Sequence, residues 1–426
     1  MRENRVVITG LGVCSPNGTT VVEFLDAIKK GRSGITHQPE LKKLGFSCQI
    51  AGKPDVDTER ISQYFTPLEM RSLDSSGIIY GVMAGIDAWR DAGLEPAGAD
   101  EPDWESGTFF GTGTSGIDKF RWAINKIDEL EIKKLGSSVV AQTMASGVSA
   151  FISSKLGLGN QVSTNSAACA TGTESVIMAY EHIKSGKSKR MLAGSTSDSG
   201  PYIWGGFDAM KVCTFKHNDS PESGSRPMSE SASGFVPGSG AGALVLESLE
   251  SALSRNARIY AEIIGGHVNS GGQRGEGTMT APNSLAVQRC IVKALEDAKI
   301  NGEAIEVING HLTATSKDAL EIQNWKAALG RSKENFPYIN SLKGMTGHCI
   351  SASGSIECVA AVLQLYEEFI FPNINCEDLD PEIASLIDER KIPGKMIEKS
   401  FNILAKASFG FGDVNACLIL KKYDNG

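Results

Sequence analysis

The sequence predicts a layered α/β fold, and two patterns support that prediction. Short runs rich in β-branched residues, beginning with RVVITGLGV near the N-terminus, alternate along the chain with stretches whose apolar residues recur at helical spacing. Such alternation is typical of sheets covered by helices. Because 426 residues exceed what one ordinary hydrophobic core organises, we expect two domains or one large fused pair.

The individual elements follow in order from these two patterns. Strand-like runs are RVVITGLGV, SGTFFGTG, RMLAGSTSD, GAGALVLES, IYAEIIGGHV, EVINGHLTA, PYINSLKG and FNILAKASFGFG with NACLILKK. Helical periodicity marks 21–30, 77–92, 172–184, 284–298, 319–329 and 355–369. In the third helix Val176, Ala179, Tyr180 and Ile183 form one apolar stripe, and Lys184-Ser185-Gly186 is a typical helix end.

The chain also shows signs of an internal duplication. A loop-like stretch at 218–235 lies near the midpoint, and we place a boundary near residue 255, giving halves 1–255 and 256–426. The run RIYAEIIGG in the second half resembles the opening RVVITGLGV in pattern. Likewise CATGTESVIMAYEHI and CISASGSIECVAAVLQL each follow a strand-like run and pass through small residues into a helical pattern. We therefore expect two similar helices that meet at a shared centre.

Composition excludes several classes of protein. The net charge of −8, from 50 acidic and 42 basic residues, lacks the basic character of a nucleic-acid-binding protein. No apolar run has the length of a membrane span, and no signal-peptide core precedes the first strand, so we expect a cytosolic protein. Nine scattered cysteines without a C-x-x-C pair argue against a disulfide framework or a zinc site.

Cys169 is the cysteine whose surroundings are unusual. It lies where the third helix begins, and the small residues Ala167, Ala168, Ala170 and Gly172 leave space around its sulfur. A helix start lowers a thiol pKa, and its free N–H groups can hold a developing oxyanion. Small residues serve close helix packing as well, so the nucleophile hypothesis depends on finding partners for Cys169.

Two of the six histidines are candidate partners. His311 and His348 each follow a strand-like run and a glycine, and active sites of α/β proteins gather beyond the carboxyl ends of strands. A single histidine in such a position is more often structural, whereas a cysteine with two histidines is suited to acyl transfer. A neutral imidazole can donate its N–H to a thioester oxygen that becomes an enolate. Lys343 and Glu321 could form a buried ion pair at this site, or they could be ordinary surface charges.

The glycine-rich stretches do not indicate nucleotide binding. ASFGFGDVNACLIL lacks the third glycine, the following helix and the lysine of a phosphate loop, and GTGTSG lacks the G-K-[ST] ending. Glycine permits a close approach of the backbone to a ligand, although a plain turn explains these stretches equally well.

Taken together, seven motifs in order resemble the β-ketoacyl-ACP synthases of the elongating, two-histidine class within the thiolase superfamily. The motifs are RVVITGLGVCSPNG, AACATG, SRPMSESASGFVPGSGAGALVLE, TMTAPN, NGHLTAT, SLKGMTGH and FGFGDVN. The match extends essentially from end to end, and the order of the motifs makes it specific.

The resemblance implies a duplicated, thiolase-like five-layered α/β/α/β/α fold, usually in a dimer. It implies that Cys169 accepts an acyl chain as a thioester and that His311 and His348 promote decarboxylation of malonyl-ACP. It further implies that Lys343 and Glu321 are the supporting charged pair, that Phe409 is a mobile gate, and that the amides of Cys169 and Phe409 form the oxyanion hole. The resemblance also implies an acyl carrier protein as the partner, with the substrates on its phosphopantetheine arm, and no metal or organic cofactor.

Departures from the family pattern leave the pathway open. The usual H-G-T is His311-Leu312-Thr313, Ala232-Ser233 replaces an Arg-Asp pair, and FGFGDVN replaces F-G-F-G-G-T-N. A fatty-acid elongating synthase and the ketosynthase subunit of a type II polyketide or polyene system, paired with a chain-length factor, are both compatible with the sequence. A non-catalytic partner subunit is disfavoured because it would lack Cys169. The choice between homodimer and heterodimer stays open as well.

Overall fold

A computed structural model describes residues 3–424. Its strands are β1 (Val6–Cys14), β2 (Ile35–His37), β3 (Ile50–Gly52), β4 (Ser106–Thr112), β5 (Val162–Ser163), β6 (Arg190–Ser197), β7 (Gly240–Ser248), β8 (Ala261–Ser270), β9 (Val307–Asn309), β10 (Tyr338–Asn340), β11 (Phe369–Ile370), β12 (Ile397–Glu398), β13 (Ile403–Gly410) and β14 (Val414–Lys421). Its α-helices are α1 (Val21–Lys30), α2 (Pro39–Lys43), α3 (Thr58–Ile61), α4 (Pro67–Met70), α5 (Ser76–Asp91), α6 (Ile117–Asp128), α7 (Ser138–Thr143), α8 (Gly147–Leu156), α9 (Thr171–Lys184), α10 (Pro201–Ala209), α11 (Leu249–Ser254), α12 (Ser284–Ala298), α13 (Asp318–Leu329), α14 (Lys343–Thr346), α15 (Ser353–Tyr366) and α16 (Pro381–Leu386).

One mixed sheet organises the chain. Among the described residues, ten strands are joined in the order β10-β9-β13-β14-β8-β1-β7-β6-β4-β5. Strand β1 pairs with β7 along its length and with β8 over Val6–Ile8, so it joins the five strands of the first half to the five of the second. The change from one half of the sheet to the other falls between α11 and β8.

The two five-stranded halves of this sheet form two layers, and helices lie between them and outside each of them, which makes five layers in all, as predicted. Helices α5 and α8 pack outside the first five strands, α12 and α13 lie outside the second five, and α9 and α15 lie between. Side chains of β14 alternate accordingly: Ala416 and Leu418 belong to the central core, whereas Cys417 and Ile419 belong to the outer one. Cys417 is therefore a core residue of the outer layer.

The predicted helices are present, with differences of one to three residues at half of their ends. Helices α1 and α12 have the predicted bounds, whereas α15 is Ser353–Tyr366 instead of 355–369. Helix α8 was not predicted, because its serines and glycine obscure any apolar period. Across residues 3–424, every helix falls short of the length and apolarity that a membrane crossing needs.

The two central helices show the duplication directly. A 3₁₀ turn precedes each of them, Ala168–Ala170 before α9 and Ile350–Ala352 before α15. Each turn begins with a non-glycine residue at positive φ, 47° for Ala168 and 51° for Ile350.

The starts of α9 and α15 cross in direct contact because both carry glycine at the crossing. A Cβ added to Gly172 would lie 2.2 Å from the Ser355 amide nitrogen, and one on Gly354 would lie 2.6 Å from that of Thr173. Such distances are far below van der Waals contact. This crossing brings the segments that carry Cys169 and His348 to one place.

Candidate active site

Cys169 lies in the 3₁₀ turn at the start of α9. Its side chain is buried, with 7% exposed. Thr171 fixes the turn, since its hydroxyl donates to the carbonyl of Ala168 (2.7 Å) and accepts from the amide of Ala167 (2.8 Å). Gly410 lies against the same turn, where a Cβ would come within 3.1 Å of the Cys169 nitrogen. The backbone thus holds the thiol at the contact between the two halves of the chain.

The prediction that the helix start lowers the thiol pKa is wrong. Burial raises the pKa of Cys169 to about 11, and the opposing effects of the Lys343 charge and the Phe411 amide do not offset the lost hydration. Because a thiolate loses more on leaving water than the helix end returns, the resting thiol is protonated at neutral pH.

Both predicted histidines lie next to the thiol. The Cys169 sulfur and one nitrogen from each of His311 and His348 all lie within 4.8 Å of one another. The imidazole rings are 5.5 Å apart and nearly perpendicular, at 84°. His311 follows β9 directly after Gly310, whereas His348 follows the short helix α14 and Gly347 instead of a strand end. The structure therefore brings together the three residues that the sequence singled out.

Hydrogen bonds determine which nitrogen of each ring carries the proton. The amide of Ile350 donates to Nδ1 of His348 (3.0 Å), so that nitrogen is an acceptor and Nε2 is protonated. The Lys343 ammonium lies 3.5 Å from Nδ1 of His311, and an ammonium has no lone pair to offer. Both rings consequently offer an Nε2–H donor.

Both imidazoles are neutral in the resting site. Burial lowers the pKa of His311 and of His348 well below the ordinary value, and the positive charges of Lys343 and Lys406 act in the same direction. A neutral imidazole can donate through Nε2 but cannot supply a full positive charge. Lysine residues are therefore the local source of positive charge.

Lys343 does not pair with Glu321, which corrects the predicted ion pair. Its ammonium forms an ion pair with Glu357 of α15 and donates to the carbonyl of His311 (2.6 Å). Glu357 also pairs with Lys406 (2.8 Å). Sequence reasoning missed Glu357, although it is the one charged residue of an otherwise apolar α15, a pattern that could have drawn attention to it.

Glu321 instead supports the main chain at His311. Its carboxylate accepts from the amides of His311 and Leu312, both at 2.7 Å. Burial raises the pKa of Glu321 to about 7, and these two amides act against that rise. Asp318, one turn earlier, accepts from the amides of Thr313 (2.9 Å) and Ala314 (3.1 Å). The two carboxylates together shape the loop that carries His311.

The amide beside the sulfur belongs to Phe411, which corrects the assignment of the oxyanion hole to Phe409. The Phe411 N–H donates toward the Cys169 thiol. Phe409 lies inside β13 in register with Asn415, whereas Phe411 lies in the turn before β14, where its amide is free of the strand pairing. Phe409 is buried against His311, with rings 6.1 Å apart, and half-buried Phe411 packs on Phe207 (6.1 Å). The position of a gate therefore suits Phe411 better than Phe409.

A cavity of about 250 Å³ lies over this cluster. Its apolar wall is formed by Phe207, Val212, Phe235, Pro282, Val287, Ile350, Phe409 and Phe411. Its polar wall is formed by Thr280, Thr313, Thr315, Ser316 and Lys317. An apolar pocket with a few convergent donors is typical of a site for an acyl chain carried on a polar arm.

The departures from the family motifs adjoin this cavity. Asp413 has φ of 62° and accepts from the amides of Asn283 (2.9 Å) and Gln273 (3.1 Å), so it holds the 271–283 segment that includes TMTAPN. Ser233 shares a hydrogen bond with Thr214 (2.6 Å) in the opposite wall. Leu312 has φ of 22° where the family motif has glycine, a conformation that glycine adopts more easily.

The Cys-His-His cluster also has the donor types of a zinc site. However, the ammonium groups of Lys343 and Lys406 share one carboxylate, that of Glu357. Positive charge that close opposes a bound cation.

Fold and site together indicate an enzyme class, and comparison with known proteins identifies the family. Residues 3–252 match the model of the beta-ketoacyl synthase N-terminal domain, and residues 260–377 match that of the C-terminal domain. The chain is 34% identical to 3-oxoacyl-[acyl-carrier-protein] synthase 2 of Vibrio harveyi, over 99% of both chains. It is also 34% identical to 3-oxoacyl-[acyl-carrier-protein] synthase 1 of Escherichia coli K12, over 98% of this chain and 99% of the other. The chain belongs to the β-ketoacyl synthase family.

Solved structures agree with this assignment. A beta-ketoacyl synthase from Burkholderia phymatum STM815 superimposes with a TM-score of 0.89 at 29% identity, over 99% of this chain and 100% of the other. The ishigamide ketosynthase/chain length factor gives 0.87 at 28% identity with the same coverage. A type II PKS acyl-carrier protein in complex with its ketosynthase bound to the hexaketide, AntDE:AntF, gives 0.86 at 28% identity, again with that coverage. The thiolase-like fold is thus that of ketosynthases.

Proposed function

We propose that the chain is a 3-oxoacyl-ACP synthase, which condenses an acyl thioester with malonyl-ACP and releases CO₂. The single observation that carries the proposal is the placement of a thiol and one nitrogen from each of two imidazoles within 4.8 Å of one another on one apolar cavity. Family membership and the names of the relatives support the same reaction.

In the first half-reaction the Cys169 sulfur attacks the acyl-ACP thioester carbon. A carbon–sulfur bond to Cys169 forms, the bond to the carrier sulfur breaks, and the thiol proton leaves with the carrier thiolate. The amides of Cys169 and Phe411 stabilise the tetrahedral oxyanion, because both adjoin the sulfur. The small residues of the turn leave room for the resulting acyl group.

In the second half-reaction His311 and His348 act on malonyl-ACP. Their Nε2–H groups donate to the malonyl thioester oxygen while the bond to the carboxylate breaks, and CO₂ leaves an enolate. The enolate carbon attacks the acyl-Cys169 carbonyl, and collapse of that adduct expels the Cys169 thiolate and yields 3-oxoacyl-ACP. The thiolate then takes up one proton from solvent, which restores the resting thiol. Neutral imidazoles suit this role, because they stay donors at neutral pH and take no proton from the thiol.

An acyl carrier protein is the proposed partner. The named relatives and the AntDE:AntF complex support it. At the cavity, exposed Lys317 forms part of the wall, and exposed Lys211 precedes the wall residue Val212. Local cations of this kind attract an acidic carrier even on a chain of net charge −8.

The second candidate is the ketosynthase subunit of a type II polyketide system. Two of the solved structures that resemble the chain come from such assemblies or include a chain-length factor. Helix α6 also presents Phe120, Ile124 and Ile127 to solvent, with 51%, 44% and 49% exposed. An apolar stripe of this size suits coverage by another chain, and we propose a second copy or a chain-length factor as the partner.

Condensation assays with variants test the reaction. Purified protein with acyl-ACP and malonyl-ACP is expected to release CO₂ and form 3-oxoacyl-ACP, and Cys169→Ala is expected to abolish condensation. Cys169→Gln, which mimics an acylated site, should still decarboxylate malonyl-ACP, whereas adding His348→Ala should stop CO₂ release. Full condensation by Cys169→Ala would refute the nucleophile assignment.

Two further experiments address partner and cofactor. Analytical ultracentrifugation distinguishes a homodimer from a heterodimer. It is applied to the chain alone and to the chain co-expressed with a homologue that is encoded in the adjacent reading frame and lacks the cysteine equivalent to Cys169. The reaction needs no metal ion or organic cofactor, because the carrier thioester supplies the reactive groups. Activity that disappears on dialysis against EDTA and returns with a metal would contradict this prediction.

A further inference from the structure

A second buried lysine, Lys406, adjoins the catalytic cluster. It lies on β13 with its side chain fully buried, and its ammonium is 2.8 Å from a carboxylate oxygen of Glu357 on α15. The other oxygen of Glu357 pairs with Lys343. One buried carboxylate therefore lies between two buried ammonium groups.

The other contacts of Lys406 carry no negative charge. Its ammonium donates to the carbonyl of Ala407 and to the hydroxyl of Ser408 (3.1 Å). Ser408 shares a hydrogen bond with Thr173 of α9 (2.9 Å). Lys406 is thus connected to both central helices, and the Lys343–Glu357–Lys406 triad has a net charge of +1.

The groups that face the two histidines come from several elements. They are Lys343 of α14, Glu357 of α15, Lys406 of β13, Asp318 and Glu321 of α13, and the thiol of Cys169. The two α13 carboxylates are hydrogen-bonded to main-chain amides of the 311–315 loop. Of these groups Lys343 and Lys406 carry the positive charge, and Glu357 forms an ion pair with both.

We propose that Lys406 is a positioning residue that keeps His311 and His348 as neutral N–H donors and leaves one positive charge for the enolate to neutralise. A unit charge held in a buried site disfavours a second positive charge on either imidazole. The same charge attracts the enolate, which is the anion formed during decarboxylation. The enolate part of the proposal rests on the proposed function, whereas the effect on histidine titration does not.

The test replaces Lys406 by Met, which fills similar volume without charge and leaves Glu357 paired with Lys343. NMR of isotope-labelled histidines is expected to show the pKa of His311 and His348 at least about one unit higher, since loss of one nearby charge has that magnitude at an effective dielectric of about 20. In the Cys169→Gln background, the rate of CO₂ release from malonyl-ACP declines below a certain pH. Lys406→Met should raise that pH by the same amount as it raises the histidine pKa values. Lys406→Gln, which keeps a hydrogen-bond donor, is measured alongside in case Met perturbs folding.

Two comparisons separate charge from structure. Lys119→Met removes another buried lysine, paired with Asp74 (2.8 Å), and is expected to leave both histidine titrations unchanged. Adding Glu357→Gln to Lys406→Met returns the net charge of the triad to +1 and should restore the wild-type histidine pKa values. If Lys406→Met acts by disturbing the packing, the second substitution should move the pKa values further from wild type.

Unchanged titration of both histidines in a folded Lys406→Met or Lys406→Gln protein would overturn the proposal. The absence of CO₂ release from every form, wild type included, would instead refute the proposed function. The histidine titrations measured by NMR would then be the test of the role of Lys406.

Discussion

The crossing of α9 and α15 at Gly172 predicts a large effect of one methyl group. In Gly172→Ala the new Cβ would lie 2.2 Å from the Ser355 nitrogen and 2.5 Å from the Ser195 hydroxyl. The Ser355 nitrogen is backbone, so relief requires the two helices to separate by roughly 1 Å or more to reach van der Waals contact. Overpacking of this kind costs about 1–3 kcal/mol of unfolding free energy.

The same separation should affect chemistry. Because the 3₁₀ turns before the two helices carry Cys169 and follow His348, their displacement of about 1 Å is expected to lower the condensation rate by roughly 100-fold. Denaturant unfolding measures the stability change, and single-turnover CO₂ release measures the rate.

The matched control is Gly206→Ala in α10, where an added Cβ meets no atom within 4 Å. It should be neutral or slightly stabilising, because alanine favours a helix by about 1 kcal/mol over glycine. If Gly172→Ala and Gly206→Ala have equal unfolding free energies and equal rates of CO₂ release, the close contact of α9 and α15 at Gly172 does not position the site.

Three further predictions follow from the site. With a Cys169 pKa of about 11, the rate of iodoacetamide alkylation should rise tenfold per pH unit from pH 7 to pH 10, because only the thiolate reacts. The rate measured for Cys169→Ala is subtracted as background. A plateau of the corrected rate above pH 8.5 would contradict the argument that burial raises the thiol pKa. Thr171→Val leaves the Ala167 amide unpaired and should lower the free energy of unfolding, measured with denaturant, by about 1–3 kcal/mol. Thr36→Val, at an exposed position, is the control. Equal unfolding free energies of the two variants would argue against the role of Thr171. Asp413→Ala frees the amides of Gln273 and Asn283 and should speed hydrogen exchange in 271–283 and raise the KM for malonyl-ACP, with unchanged exchange there as the contrary result.

Several residues of the site could be proposed from short stretches of sequence. Small residues at a helix start made Cys169 a candidate, and a preceding glycine did the same for each histidine. The order of the seven motifs then joined the three residues into one predicted site. The echo between the two helical segments likewise indicated a shared centre, which the structure places at the Gly172–Gly354 contact. Periodicity and residue size are properties of neighbouring residues, so they are visible in one sequence.

The two corrected assignments at the site concern contacts between distant segments. Glu321 and Glu357 are both acidic residues on helices near Lys343, and only packing shows that Glu357 reaches the ammonium while Glu321 accepts main-chain amides. Phe409 and Phe411 are two residues apart, and strand pairing rather than composition determines which amide is free.

The sequence by itself determined the layered α/β class, because short-range periodicity encodes it. It also offered Cys169, His311 and His348 as candidates, and the order of seven family-like motifs made them a predicted site in a duplicated fold. Only the tertiary structure decided the protonated thiol, the Nε2–H tautomers and the two lysines that share Glu357. The physical reason is that burial and long-range pairing set the charge of each group, and both arise when the halves close on one another.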